Sequence, residues 1–216
     1  MATMNLTERF FSIKSAIPQG VKLVVVSKMR PAEEIKAIYD AGQRCFGENK
    51  VMELMGKKDL LPSDIQWHLI GHLQTNKVKY IAPFVHLIQS LDSTKLAAEI
   101  DKQAKKSNRV IDCLLEIYIA SEETKFGFSF EEAEDFLKNK LSAFPNIRIT
   151  GIMGMASNSE NKVQVSQEFK SLADFYKNHE KTFHFNHLSM GMTGDYKIAI
   201  EEGSSMIRIG GAIFNE

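Results

Sequence analysis

The sequence of 216 residues carries no excess of charge of either sign, because its 27 lysines and arginines equal its 27 aspartates and glutamates in number. A protein that binds nucleic acid by neutralising phosphates needs a surplus of basic side chains, so this balance argues against that class. No apolar run approaches the length of a membrane span, and the N-terminus lacks the basic-then-apolar pattern of a signal peptide. These absences predict a cytoplasmic protein that binds neither nucleic acid nor a membrane.

Cysteine is also scarce, with only Cys45 and Cys113 in the chain. The two form no CxxC pair and no metal-ligand spacing, and both lie among apolar residues. We therefore expect buried, reduced thiols and no metal site. His184 and His187 lie three residues apart on the approach to a predicted strand, where they would not share a face, and this also argues against a metal.

The sequence does contain a repeated rhythm, in which a short apolar run is followed by a polar turn and then by a helical pattern. An N-terminal amphipathic helix at about 4–17 precedes it, with Leu6, Phe10, Phe11 and Ile17 facing the body. The predicted strands cover residues 23–28, 44–48, 66–71, 86–91, 113–119, 147–155, 187–191 and 206–214. Continuous apolar runs that alternate with helices are typical of parallel sheets covered by helices.

Eight such units predict an α/β protein built as one (β/α)8 TIM barrel over residues 1–216. The alternative is an open, doubly wound sheet, which usually carries a glycine-rich phosphate loop after its first strand. The segment SKMRP, residues 27–31, contains no glycine. The barrel is therefore favoured.

The carboxyl ends of barrel strands meet at one face, where active sites lie. The first predicted strand delivers Lys28 to that face. A free lysine amine, with a pKa of about 10.4, is a poor nucleophile at neutral pH, but a low-dielectric barrel mouth can make it available for a Schiff base. The alternative is a strand-end lysine whose ammonium group only reaches water.

The other end of the chain offers groups that suit a phosphate. Barrels often bind phosphate with the loops after strands seven and eight. Ser189 offers a hydroxyl group, Thr193 and Gly194 open a predicted helix, and Gly210 and Gly211 let the backbone approach a ligand. Glycines needed only for turns are the alternative. Together with Lys28, these residues predict a ligand that carries both an aldehyde and a phosphate.

Arg208 lies inside an otherwise apolar strand, where a cation without a partner is very costly. It must therefore face a ligand, such as a ring nitrogen, or pair with a carboxylate, for which Glu48 and Glu116 are the candidates. The lysine pairs at residues 57–58 and 105–106 are predicted to lie on solvated helix faces.

Seven motifs in order resemble the pyridoxal phosphate homeostasis protein family along almost the whole chain. They are VVSK (25–28), AGQRCFGEN (41–49), QWHLIGHLQTNK (66–77), ETKFG (123–127), GIMGM (151–155), LSMGMTGD (188–195) and MIRIGGAIF (206–214). The resemblance implies a barrel similar to the N-terminal domain of alanine racemase. It also implies that Lys28 forms an internal aldimine with pyridoxal 5′-phosphate.

The same resemblance implies roles for five further residues. Ser189, Gly210 and Gly211 match the family's phosphate-holding positions. Arg208 matches the arginine beside the pyridine nitrogen, and Asn49 matches the asparagine of the FGEN motif near the cofactor. No residue is assigned a catalytic role.

Four positions depart from the family pattern. Gly211 replaces a common threonine, which removes a hydroxyl contact to phosphate, and Tyr118 stands where many members have asparagine. Thr193 and Gly194 replace a more usual Ser-Asp pair, and threonine still caps a helix.

The function that this resemblance implies is binding of pyridoxal phosphate for intracellular vitamin B6 and amino-acid homeostasis, without an established reaction. The expected partners are the cofactor and pyridoxal-phosphate-dependent apo-enzymes, and the expected state is a monomer. Two alternatives stay open: an amino-acid racemase-like enzyme that uses the same cofactor, and a cofactor-free Schiff-base aldolase.

Overall fold

A computed structural model describes residues 4–121 and 126–214 and contains a closed barrel of eight parallel strands in sequential order. The strands are β1 Lys22–Val26, β2 Cys45–Glu48, β3 Gln66–Leu69, β4 Leu87–Leu91, β5 Ile111–Ile117, β6 Ile147–Gly154, β7 His187–Ser189 and β8 Met206–Ile209. The pairing of β1 with β8, which places Val24 opposite Arg208, closes the barrel. The predicted (β/α)8 barrel is confirmed.

Helices follow the strands and cover the outside of the barrel. They are α1 Leu6–Ser15, α2 Ala32–Asp40, α3 Val51–Lys58, α4 Val78–Ile81, α5 Thr94–Lys106, α6 Phe130–Asp135, α7 Lys162–Phe183, α8 Tyr196–Glu201 and α9 Gly211–Phe214. Local sequence explains their starts: the Ser93 side chain accepts a hydrogen bond from the Leu96 amide, and Ser129 forms the predicted capping box with Glu132. None of the helices in the described ranges is both long and apolar enough to cross a bilayer.

Two groups of apolar side chains divide the core, because successive residues of a strand point to opposite sides. Most buried residues lie between the barrel and its helices. A second, smaller cluster comes from strands alone and consists of Val24, Leu87, Leu114, Met153 and Met206. Period-two alternation from this inner cluster also directs Val26, Gln89 and Arg208 to the barrel interior.

The structure corrects the predicted chain ends. The eighth predicted strand, 206–214, ends at Ile209, and its second half forms α9. That helix packs beside α1, where Arg9 Nε donates to the Ile213 carbonyl at 2.9 Å. A short apolar run fits a buried strand or a buried helix equally well, so periodicity did not separate them. In α1, Phe10 is fully buried as predicted, but Phe11 is 49% exposed.

Candidate functional site

A cleft of about 300 Å³ opens at the carboxyl end of the barrel and joins residues from both ends of the chain. It is called the mouth cleft here. Its lining residues are Val26, Lys28, Asn49, Ile70, Met155, Met192, Thr193, Gly194, Arg208, Gly210 and Gly211. Five of the six predicted site residues therefore lie in one cleft, and Ser189 does not line it. Residues 122–125, which include part of the ETKFG motif, lie outside the described residues.

Lys28 stands just beyond β1, and its side chain is exposed. Within residues 4–121 and 126–214, its ammonium group has no hydrogen-bond or ion-pair partner. The next residue, Met29, has a φ of 60°, which is uncommon for any residue except glycine. Such conformations cost free energy and persist only where neighbours hold them.

A buried ion cluster holds the backbone on both sides of Lys28. Lys57 Nζ donates to the Ser27 carbonyl at 2.8 Å and to Glu48 Oε1 at 2.8 Å. Lys57 also pairs with Glu53 at 2.5 Å, and Glu53 in turn accepts the backbone N–H of Met29. These residues, Glu48, Glu53 and Lys57, are called the Lys57 clamp here. The clamp contacts the residue before and the residue after Lys28.

Burial and hydrogen bonding act in opposite directions on the pKa values of the two carboxyl groups of the clamp. Burial raises the pKa of Glu48, and hydrogen bonds from Lys57 and Ser27 oppose the rise. Burial also acts to raise the pKa of Glu53, but the hydrogen bonds from Lys57 and the Met29 amide outweigh it and leave that pKa lowered. The prediction that Lys57 lies on a solvated face is wrong, since its side chain is 10% exposed. Lys58, its neighbour, is 24% exposed and pairs with Asp59.

Arg208 supplies the buried cation of the mouth cleft, with only 3% of its surface exposed. Its Nη1 donates to Ser189 Oγ at 2.6 Å, and its Nη2 donates to the Gly154 carbonyl at 3.1 Å. Burial lowers the pKa of Arg208 to about 10, and the charges of Asp195 and Glu116 oppose that shift. The guanidinium therefore stays charged at neutral pH.

The predicted salt bridges of Arg208 are not formed in the described part of the chain. Glu48 belongs to the Lys57 clamp. Glu116 influences Arg208 through its charge, without a direct ion pair. Burial raises the pKa of Glu116 to about 8, Asp92 adds to the rise, and Arg208 opposes it.

Ser189, which the resemblance implied as a phosphate-holding residue, lies beneath the cleft and does not line it. It is fully buried, accepts a hydrogen bond from Arg208, and donates its own hydrogen to Gln89 Oε1 at 2.7 Å. Its hydroxyl group is thus satisfied inside the barrel, beneath the cleft. Thr193, from the loop after β7, lines the cleft instead.

Close backbone approaches shape two walls of the mouth cleft. A Cβ atom at Gly210 would lie 2.8 Å from the Val26 carbonyl oxygen, so only glycine fits there without a shift of β1. A Cβ atom at Gly71 would lie 2.6 Å from the Asn49 carbonyl oxygen. Asn49 also lines a neighbouring cleft of about 330 Å³ with Lys50, His72 and Lys77.

Both cysteines are free thiols and buried, as predicted, and Cys113 is fully so. Burial raises the pKa of the Cys45 thiol, and it raises the pKa of the Cys113 thiol far more. Across the described ranges, histidine, cysteine, aspartate and glutamate form no group that could hold a metal ion.

The sequence did not reveal the apolar walls of the cleft or the polar groups beneath it. Val26, Ile70, Met155 and Met192 are ordinary apolar residues at strand ends, and no local signal separates them from the core. The polar groups beneath the cleft did have a signal in the sequence. Gln89 and His68 lie inside apolar strands, and buried polar groups need hydrogen-bond partners.

Sequence comparison assigns the barrel to a known domain family. The family model described as "Alanine racemase, N-terminal domain" matches residues 3–216. An alanine racemase from Bartonella henselae superimposes with a TM-score of 0.77 at 16% identity, over 98% of this chain and 58% of that chain. At that identity the likeness establishes the fold alone.

More similar relatives place the chain within a narrower group. The pyridoxal phosphate homeostasis protein of Aquifex aeolicus is 40% identical over 226 residues, covering 99% of this chain and 99% of the relative. The relative of the same name from Schizosaccharomyces pombe is 33% identical over 205 residues, covering 93% of this chain and 86% of its own. The chain belongs to the pyridoxal phosphate homeostasis protein family.

A solved structure agrees with this assignment. PipY of Synechococcus elongatus, determined with pyridoxal phosphate bound, has a TM-score of 0.88 and 32% identity. The superposition covers 98% of this chain and 100% of PipY.

Proposed function

We propose that this protein binds pyridoxal 5′-phosphate in the mouth cleft and holds it as a Schiff base on Lys28, as part of vitamin B6 and amino-acid homeostasis. The observation that carries the proposal is the joining of Lys28, Arg208 and the Gly210–Gly211 pair in one cleft of about 300 Å³. The names of the relatives and the ligand of PipY support it.

The residues of the cleft fit the chemistry of this cofactor. Lys28 provides a primary amine without a competing partner among the described residues. Gly210 and Gly211 line the cleft without a Cβ atom over their backbone N–H groups, which suits an anionic group, and Thr193 and Gly194 line the same cleft. Asn49, which follows β2, also lines this cleft.

Arg208 argues for a holder of the cofactor over a catalyst. Bound pyridoxal phosphate supplies an electron sink that stabilises carbanions. A cationic guanidinium beside the pyridine nitrogen opposes protonation there and so weakens that sink. We therefore propose that the protein carries the cofactor and does not use it in catalysis. We further propose that it delivers the cofactor to pyridoxal-phosphate-dependent apo-enzymes in the cytoplasm and that it works as a monomer.

An amino-acid racemase-like enzyme is the second candidate, because the barrel is shared with alanine racemase. Steady racemisation of D- or L-alanine, or of another amino acid, by the purified protein would favour it. Nothing in the cleft or among the relatives favours a cofactor-free aldolase.

The proposal is tested by mixing the protein with pyridoxal phosphate, reducing it with borohydride and mapping the product by mass spectrometry. We expect a single pyridoxyl-phosphate adduct, on Lys28. Absence of an adduct, or adducts scattered over surface lysines, would remove the cofactor assignment.

Arg208→Glu is expected to shift the absorption spectrum of the bound cofactor while the covalent link to Lys28 survives. The substitution replaces a cation beside the ring with an acid and leaves the amine in place. Arg208→Gln, which avoids burying a new charge, serves as the milder variant in case Arg208→Glu unfolds. An unchanged spectrum in a folded variant would mean that this side chain does not face the ring.

A further inference from the structure

Beneath the mouth cleft, a chain of polar side chains crosses the interior of the barrel. It consists of Arg208 on β8, Ser189 on β7, Gln89 on β4 and His68 on β3, and is called the interior relay here. Ser189, Gln89 and His68 are fully buried, and Arg208 is 3% exposed. The links measure 2.6 Å from Arg208 to Ser189, 2.7 Å from Ser189 to Gln89 and 2.9 Å from Gln89 to His68.

The direction of every hydrogen bond in the interior relay follows from Arg208. A guanidinium can only donate, so the Ser189 oxygen accepts. The Ser189 hydrogen then goes to Gln89 Oε1, which turns the amide nitrogen of Gln89 toward His68. Met206 Sδ, 3.2 Å from Gln89 Nε2, accepts on the same side. Nδ1 of His68 must therefore be the bare acceptor, and its ring hydrogen lies on Nε2.

The surroundings of His68 keep its ring neutral. Burial lowers the pKa of His68 well below its ordinary value, and the nearby His86, Lys22 and His187 act in the same direction. The His86 ring stacks on it with a centroid separation of 5.6 Å. The charge of Asp112 acts to raise the pKa of both His86 and His187. Nε2 of His68 is buried and has no hydrogen-bond partner among the described residues.

A charged His68 is incompatible with the arrangement around Arg208. Protonated Nδ1 would donate, so the Gln89 amide would have to turn its oxygen toward His68. Its nitrogen would then face Ser189, which would meet a donor from Gln89 and another from Arg208. The Ser189 hydrogen would lose its acceptor, and an unmade buried hydrogen bond is costly.

We propose that Gln89 and His68 are positioning residues for Arg208, which set the plane of its guanidinium group from inside the barrel. Nη1 is anchored by Ser189 and Nη2 by the Gly154 carbonyl, and only the remaining N–H groups are available to a ligand. The hydrogen-bonded arrangement of the interior relay is a property of the cofactor-free protein. Its consequence for pyridoxal phosphate rests on the proposed function.

The test compares the unaltered protein with Gln89→Leu, which removes both the donor and the acceptor at similar volume. Nitrogen-15 NMR of the cofactor-free protein reads the tautomer of His68 and the guanidinium signals of Arg208. In the unaltered protein we expect the Nε2–H tautomer at neutral pH, persisting below pH 6.5, the ordinary pKa of histidine. In Gln89→Leu we expect that tautomer preference to be lost and the Arg208 signals to shift.

Addition of pyridoxal phosphate gives the second readout. Gln89→Leu should raise the dissociation constant about tenfold, equivalent to about 1.4 kcal/mol, and move the absorption maximum of the bound cofactor. Gln103→Leu is the matched control, because Gln103 bonds to Glu99 on the outer helix α5 and should change neither readout. Ser189→Ala, a smaller change in the same relay, replaces Gln89→Leu if that variant does not fold.

An Nδ1–H tautomer or a protonated His68 at neutral pH would overturn the proposal, as would unchanged Arg208 signals in Gln89→Leu. If the unaltered protein takes up no pyridoxal phosphate, the proposed function fails, and the NMR comparison still decides the relay.

Discussion

Lys28→Ala is expected to abolish covalent attachment of pyridoxal phosphate and to weaken total binding about a hundredfold, equivalent to about 2.8 kcal/mol. Lys28 is the lysine that lines the mouth cleft, whereas Arg208, Gly210 and Gly211 remain in the variant and retain part of the binding through the phosphate and the ring. Borohydride reduction with mass spectrometry measures the covalent part, and equilibrium dialysis measures the total.

Two controls separate the amine from its charge and from lysines in general. Lys28→Arg keeps the positive charge but supplies a guanidinium, which is not a nucleophile at neutral pH, and should also lose the adduct. Lys36→Ala removes a lysine that pairs with Asp40 at 2.6 Å on the outer helix α2 and should leave the adduct intact. A stoichiometric adduct that persists in Lys28→Ala would show that another amine is used.

Lys57→Met is expected to lower the free energy of unfolding by about 3–5 kcal/mol, because it leaves the fully buried Glu48 without its cation. It also releases the Ser27 carbonyl and the Glu53 carboxylate that accepts the Met29 amide. The turn that carries Lys28 then loses its clamp, and adduct formation should slow. Urea denaturation and the time course of adduct formation measure the two effects.

The pH dependence of this variant has a definite sign. Glu48 already has a raised pKa in the folded protein, and loss of Lys57 raises it further. A carboxyl group with a raised folded pKa binds its proton more tightly in the folded state, so stability falls as pH rises above the ordinary value of 4.5. The destabilisation should therefore be larger at pH 8 than at pH 5.

Lys58→Met provides the matched control for Lys57→Met. Lys58 is the next residue of the same helix, and its partner Asp59 has a side chain that is 77% exposed. Exposed ion pairs contribute at most about 1 kcal/mol, so this variant should change stability little at either pH. Equal effects of the two substitutions would show that the clamp has no special role.

The barrel could be predicted from the sequence because the apolar runs and the helix-capping residues indicated the same alternation of strands and helices. Apolar runs marked all eight strands, and cap residues such as Ser93 and Ser129 marked helix starts where the structure has them. The exact ends of the strands were predicted less accurately. The fifth strand was placed at 113–119 but occupies Ile111–Ile117, because flanking apolar residues extend the same pattern.

The mouth cleft could be predicted only in part. The positions of residues that follow a strand, such as Lys28 and Asn49, could be predicted, because parallel strands present their carboxyl ends together. Lys57 could not be placed, because a lysine in a charged helix segment is usually solvated, and its partner Glu48 lies on the preceding strand. The two residues meet only when α3 packs back against β2. Ser189 illustrates the same limit, since a motif match does not say how deep in the barrel a hydroxyl group lies.

The burial of both thiols has a consequence for chemical selectivity. Aldehydes add to thiolates as well as to amines, and a protein that handles a reactive aldehyde is exposed to both reactions. Cys45 and Cys113 are the only cysteines of the chain, and burial with a raised pKa keeps each of them protonated and out of reach. An aldehyde that enters the barrel mouth therefore meets the amine of Lys28 and neither thiolate, so attachment to a cysteine of the same molecule does not compete with attachment to the lysine.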